Sequence, residues 1–243
     1  MLLLLATLLA AGLTAGLGFW QLDRAHQKLD LQQRILSRAA LAPLAQAMLA
    51  RNSVDAQAQQ YRTISLRGRW LSERTLYLDN RQMNSHQGFY VLTPFLLADG
   101  DAVLVQRGWS PRDFIDRSRL APVDTPTGEV VLTGRIAPPP ARLFAFGGAE
   151  LGAIRQNVDL VALAREIGVP LRPLSVQQTD PPGASPSTLA KGDDSLLRQW
   201  PAPAIDVGKN QGYAVQWFAL CALITGLYVW FQLLRPRFAR PHG

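Results

Sequence analysis

"GFYVLTPFLLADGDAVLVQRGW", residues 88–109, consists of two apolar runs joined around Asp99-Gly100-Asp101. An aspartate-glycine pair between runs rich in valine, leucine and aromatics is a hairpin signature, so the stretch predicts two antiparallel strands. Working outward, "YRTISLRGRWL" (61–71) alternates through Ile64, Leu66, Gly68 and Trp70, a strand period of two. "RTLYLDN" (74–80) continues in the same manner, and "GEVVLTGRIA" (128–137) is a further strand after the proline-rich "APVDTPTG". "VDLVALAREIGV" (158–169) predicts one helix, with Asn157 as its cap and Gly168 as its stop. Residues 179–203 are too rich in Pro, Gly, Ser and Asp for a packed element and read as loop.

The flanks have a different character. Residues 1–20, "MLLLLATLLAAGLTAGLGFW", carry no charge, and neither do residues 213–234. A bilayer core takes ~20 mostly apolar residues of helix to cross. The first run has no basic residue before it and continues to Trp20, an interfacial aromatic, which predicts a retained anchor; a cleaved signal is the alternative, with "TAG" as the peptidase site. Residues 21–60 read as a helical connector that Pro43 breaks or restarts. The expected order is therefore transmembrane helix 1–20, connector 21–60, β-rich domain 61–178, irregular loop 179–212, transmembrane helix 213–234 and basic tail 235–243. The fold class is α+β, a β-rich extramembrane domain inserted between two transmembrane helices.

Charge suggests the topology. Arg235, Arg237 and Arg240 follow the second span with no acid among them, which predicts a cytoplasmic tail. Two spans then place both termini inside and the central domain in the periplasm of an inner membrane; Arg24 and Lys28 pull the other way. With those three arginines set aside, the chain is only about four charges positive, and the basic residues are scattered. A nucleic-acid binder would concentrate them on one face. The single cysteine, Cys221, lies inside the second apolar run and can build neither a disulfide nor a dithiol copper site within the chain.

Motifs of catalysis do not occur. His26, His86 and His242 sit in no zinc or haem-attachment spacing, and there is no nucleophile elbow, P-loop or dinucleotide fingerprint. Asp113 and Asp116 read as scattered loop acids. What stands out is a set of Arg, Gly and Trp residues at strand ends: "DNRQ" (79–82) and "VLVQRGWSPRD" (103–113). They fit either a strand-end turn with a paired arginine or a contact surface for a partner or an acidic cofactor group, since arginine's planar fork suits carboxylates.

At these residues the chain resembles the surfeit-locus (Shy-type) family of cytochrome c oxidase assembly factors, as a bacterial member. "GFWQLDRAHQK" resembles the family's signature at the exit of span one, through Trp20, Gln21, Arg24 and Lys28. "LDNRQMNSHQGFYVLTPF" resembles its asparagine-arginine turn and glycine-aromatic strand, through Asn80, Arg81 and Gly88. "VLVQRGW" resembles a Val-Asn-Arg-Gly-Trp block, through Arg107, Gly108 and Trp109, with Gln106 in place of asparagine. "NQGYAVQWFAL" resembles the entry to span two, through Tyr213, Gln216 and Trp217. Four motifs in order between two spans make the resemblance specific. It implies a non-enzymatic chaperone that helps subunit I of the oxidase acquire haem a, with subunit I and haem a synthase as partners and haem a as a transient cofactor. Relatives carry a histidine three residues before the tyrosine, a proposed haem ligand; here that position is Asn210, and asparagine does not ligate iron as imidazole does. His26 is the other histidine near an external membrane face.

Tyr213 and Trp217 lie four apart on one helix face beside Gln216. They serve either as belt anchors at the headgroup level or, with Trp20 and Arg24, as the lining of a groove for a macrocycle or a partner helix. Two other functions compete with oxidase assembly by haem delivery: a cofactor-free membrane scaffold, and an anchored periplasmic hydrolase that would use Ser110 or His86.

Overall fold

The hairpin quoted above is the spine of a barrel. In a computed structural model, which describes residues 1–113, 115–116, 120–144, 152–179, 196–200 and 207–235, its arms are β3 (His86–Leu97) and β4 (Ala102–Pro111). They pair antiparallel across a turn in which Gly100 takes a φ of +87°. The other strands are β1 (Thr63–Trp70), β2 (Leu76–Met83), β5 (Glu129–Ala137), β6 (Ile154–Arg155) and β7 (Leu171–Gln178).

β4 pairs in parallel with β7, β7 antiparallel with β5, and β5 antiparallel with β1. The far end of β3 then returns to β1, with Phe95, Leu96 and Leu97 opposite Trp70, Arg69 and Gly68. The order β1-β3-β4-β7-β5-β1 closes a five-stranded Greek-key barrel of the OB type. β2 lies outside the closed ring on the near half of β3, and β6 extends it by two residues. β2 and β3 are joined by Asn84-Ser85, both at positive φ (51° and 65°), the geometry of a two-residue type I′ turn.

The alternation in β1 sends Ile64 and Leu66 into a core with Phe95, Val105, Leu132 and Val176. β4 is buried along nearly its whole length, as a strand covered on both faces must be. Its other face packs Leu104 with Leu78, Leu92 and Leu163, the last from α3 (Leu160–Ile167). The cap of α3 is Asp159, whose carboxylate accepts from the amides of Val161 and Ala162; Asn157, the cap expected from sequence, instead holds both backbone groups of Leu143. Gly168 ends the helix in the left-handed region, as expected.

The chain falls into two compact units, Leu36–Pro201 and Met1–Ile35 with Ala202–Gly243. α1 runs unbroken from Leu2 to Ala39, so no break separates the apolar run from the first half of the expected connector. The other half is irregular up to a short α2 (Ser53–Gln59), capped by Asn52. α4 (Val207–Tyr228) begins within the expected loop and continues as a π-helical turn, Val229–Leu234. α1 and the helix from Val207 to Leu234 are both long and apolar enough to cross a membrane. Residues 180–195 and 201–206 of the expected loop, and Arg237 and Arg240 of the tail, lie outside the described residues.

Candidate functional site

The arginine motifs are bulges. On one side of β3, Leu78 faces Tyr90 and Arg81 faces Gly88, so Asp79 and Asn80 stand against Phe89 alone. Asn80 absorbs the extra residue at φ 57°, a conformation that asparagine tolerates better than most side chains. On the other side Val91 faces Gly108 and Leu92 faces Gln106, which leaves Arg107 as the unpaired residue of β4. A bulge bends its strand and re-aims a side chain. Both bulges flank the Phe89–Leu92 stretch.

Arg107 is only 2% exposed. Its guanidinium lies over the Trp70 ring, 4.7 Å from the centroid, and donates to Thr125 Oγ1 (2.5 Å) and to the Asp124 carbonyl (2.8 Å). Arg81, 6% exposed, lies over Tyr90 and donates to the carbonyls of Ala141 and Gln156, each at 2.9 Å. Each arginine therefore pins a distant loop to the sheet. Burial pushes the Arg81 guanidinium below its ordinary pKa, partly offset by Tyr90, and pushes the Tyr77 and Tyr90 phenols up against the opposing charges of Arg107 and Arg81. Arg112 reaches back over Phe89 to Asp79 and Asn80, tying the end of β4 to the first bulge.

Glycine and tryptophan complete the arrangement. Trp109 donates its indole N–H to the Arg81 carbonyl (2.9 Å), so the two motifs are bonded to each other. Its ring lies against Gly88, where a Cβ would come within 2.5 Å of Cζ2. Beyond the end of β7, the edge of β4 is taken by the strap Leu196–Trp200: the Trp109 amide donates to the Leu197 carbonyl (2.7 Å), and the Trp109 carbonyl accepts from the Leu197 amide (2.9 Å). Arg198 Nε donates to the Arg107 carbonyl (2.9 Å), and Trp200 meets Tyr90 edge-on while bonding the Gln178 carbonyl. A Cβ on Gly108 would stand 2.7 Å from Leu196 Cβ. The arginines of both motifs sit at bulges within the sheet and bond backbone carbonyls, an arrangement of internal bracing.

Ser110 is buried in β4 opposite Phe89, and the exposed His86 directs Nδ1 at the Asn84 carbonyl (2.8 Å) within the turn. Among the described residues no three His, Cys, Asp or Glu side chains come together as a metal-binding group.

The two apolar helices meet along a seam of small residues. On α1 it runs through Ala11, Thr14, Gly18, Gln21, Ala25 and Lys28, alternating spacings of three and four as in a heptad. On α4 it runs through Asn210, Ala214, Phe218 and Cys221. Gly18 receives the ring of Phe218, which also meets Phe19 edge-on, and Cys221 Sγ lies 3.4 Å from the Ala11 carbonyl. At the polar end Lys28 Nζ donates to Asn210 Oδ1 (2.7 Å), and Asn210 Nδ2 donates to Gln21 Oε1 (2.6 Å).

The residues expected to line a groove, Trp20, Arg24, Tyr213 and Trp217, are not among the seam residues just named. Trp20 and Tyr213 are 53% and 52% exposed, Gln216 is exposed, and Arg24 donates along its own helix to Gln27. Trp217 is half-buried and His26 is exposed. The buried positions of the seam, Thr14, Gly18, Ala25 and Ala214, are small residues, and those of α1 fall at heptad spacing. Trp70, Tyr90, Trp200 and Thr125 also belong to the bracing and carry no local motif.

The SURF1 family model matches residues 8–222, a span that includes the helix seam, both bulges and the barrel. The chain belongs to the SURF1 family. It is similar to a SURF1-like protein of Drosophila melanogaster, 27% identical over 95% of this chain and 77% of that protein. It is likewise similar to Surfeit locus protein 1 of Xenopus tropicalis, 25% identical over 89% of this chain and 71% of its relative. The human Surfeit locus protein 1 is 32% identical over 40% of this chain and 37% of its own length. The arginine bulges and the Gln21–Asn210–Lys28 cluster are thus features of a SURF1-family chain, inside the matched span.

Proposed function

We propose that this chain is a membrane-anchored assembly factor for cytochrome c oxidase that assists subunit I in acquiring haem a. The two apolar helices cross the inner membrane, the barrel faces the periplasm and both termini are cytoplasmic. Subunit I is the partner, with haem a synthase beside it. Family membership over residues 8–222 and the order of the four motifs support this reading. The observation that carries its mechanism is the bracing: Arg81, Arg107 and Trp109 bond backbone carbonyls and so brace the barrel and its loops. A braced surface on a membrane anchor suits holding and positioning rather than bond chemistry.

A second reading, a scaffold that holds oxidase subunits without binding haem, is favoured by Asn210, whose amide oxygen and nitrogen are both engaged. The parent reading is tested by removing the chain from its host and measuring oxidase turnover and haem a absorbance in the membranes. Loss of both, restored by the wild-type chain, is the expected result. Full oxidase activity with full haem a content in the deleted strain would overturn it.

A further inference from the structure

We propose that Asn210 is the pairing residue of a two-helix membrane hairpin, and that this position takes no haem iron. The argument begins with the seam. Among the described residues of α1 and α4, only Thr14, Gly18, Ala25 and Ala214 are buried, and all are small. Small residues let two helix backbones approach, but in lipid they supply no directional bond to choose one pairing over a slipped one. A polar group at one heptad core position does that, because a shifted register leaves it unsatisfied.

Asn210 stands at such a position. It accepts from the Lys28 ammonium through Oδ1 and donates to Gln21 through Nδ2, so one residue of α4 holds two residues of α1 that are seven apart on the same stripe. A one-turn slip of α4 would break both bonds at once, so the pair of bonds marks a single register.

The same bonds argue against iron. Axial ligation of haem takes a lone pair such as that of an imidazole nitrogen. The amide nitrogen of Asn210 has no such pair to give and is already a donor; its oxygen points at a cation 2.7 Å away, which opposes a second positive centre. The flanking aromatics Trp20 and Tyr213 are about half exposed. The donor set here does not fit a haem iron. The pairing role stands on geometry alone; the oxidase reading only makes haem the ligand worth testing.

The experiment uses the full chain in lipid nanodiscs. Cys221 lies beside Ala11 across the seam, so an Ala11→Cys variant reports helix pairing by disulfide yield with the native thiol. Asn210→Leu, which removes both bonds, is expected to lower the cross-linking rate about tenfold, the order of a lost charge-assisted hydrogen bond. Asn210→Asp keeps the acceptor for Lys28 and should stay near the parent, and Lys28→Met should fall between. Near-UV circular dichroism of the barrel tryptophans checks that each variant is folded. Equal cross-linking in Asn210→Leu and the parent would overturn the pairing role. In parallel, haemin is titrated into the chain without the Ala11→Cys change. The expected result is the same visible spectrum for the parent and Asn210→Leu. A stoichiometric low-spin complex in the parent that Asn210→Leu abolishes would overturn the exclusion of iron. Neither measurement reads oxidase activity, so failure here is distinguishable from failure of the assembly role.

Discussion

Replacing Gly108 by alanine puts a methyl carbon 2.7 Å from Leu196 Cβ and 2.9 Å from the Leu197 carbonyl oxygen, both inside van der Waals contact. β4 is held from moving away, because its other edge pairs with β3 on both sides of the Arg107 bulge. The strap must yield. Beside Gly108 it is seated by two backbone bonds between Leu197 and Trp109 and one from Arg198 Nε to the Arg107 carbonyl. At a net value of about 1 kcal/mol each, these bonds are worth about 3 kcal/mol. Leu196 is 2% exposed, and uncovering it adds about 2 kcal/mol. The strap will shift before it detaches, so the expected loss is about 2–4 kcal/mol. For a domain of this size that lowers the melting temperature by roughly 10 °C.

The assay is thermal unfolding followed by near-UV circular dichroism, a signal to which Trp109 and Trp200 contribute. Adding Leu196→Gly to Gly108→Ala removes the first collision, so the double variant should lose less than the sum of the two single losses, a non-additivity that a general weakening of β4 would not produce. A Gly108→Ala chain that melts within about 1 °C of the parent would refute the reasoning, since the strap would then not be seated on that glycine.

Three further outcomes are expected. Arg81→Met keeps the apolar stem but leaves the carbonyls of Ala141 and Gln156 without their donor, at a cost of about 2 kcal/mol; amide hydrogen exchange should rise in 141–144 and 152–157 and not in β1. Asn80→Val forces a β-branched residue to φ 57° and should lower the urea midpoint by the equivalent of about 1–2 kcal/mol, whereas Asn80→Gly should stay close to the parent. On the acid side, the Asp159 carboxyl is held below the usual range by the Ala162 and Val161 amides, and Glu166 by the Arg155 guanidinium. Folded values below the unfolded ones mean that the stabilisation is complete above roughly pH 5 and is lost as pH falls through the folded values. Asp159→Asn, which keeps a capping oxygen, should flatten the acid limb of a denaturant-midpoint profile.

How much of this was legible in the chain follows the range of each interaction. The β3–β4 hairpin was legible because its signal, two apolar runs around Asp99-Gly100-Asp101, is local. β1 was legible by alternation and the end of α3 by Gly168. β7 was not: "LRPLSVQQ" carries Arg172, Pro173 and two glutamines, and it becomes a strand only because β4 and β5 stand on either side of it. Closure of the barrel depends on Gly68–Trp70 meeting Phe95–Leu97, a pairing no local pattern announces.

The motif arginines show the limit most clearly. Their oddity was visible in "DNRQ" and "VQRGW", but a bulge is a mismatch between two strands and is absent from either one alone. Once β3 is laid between β2 and β4, the two oddities become one arrangement: the extra residues Asn80 and Arg107 flank the same short stretch of β3, and Trp109 bonds the carbonyl of Arg81 across it. The helix seam is the opposite case. Its three-and-four spacing was present in "TAGLGFWQLDRAHQK" all along, carried by Thr14, Gly18, Gln21, Ala25 and Lys28. Small residues contribute little to hydrophobicity beside Trp20 and Tyr213, which are about half exposed; it is the small ones that decide where two helices can approach.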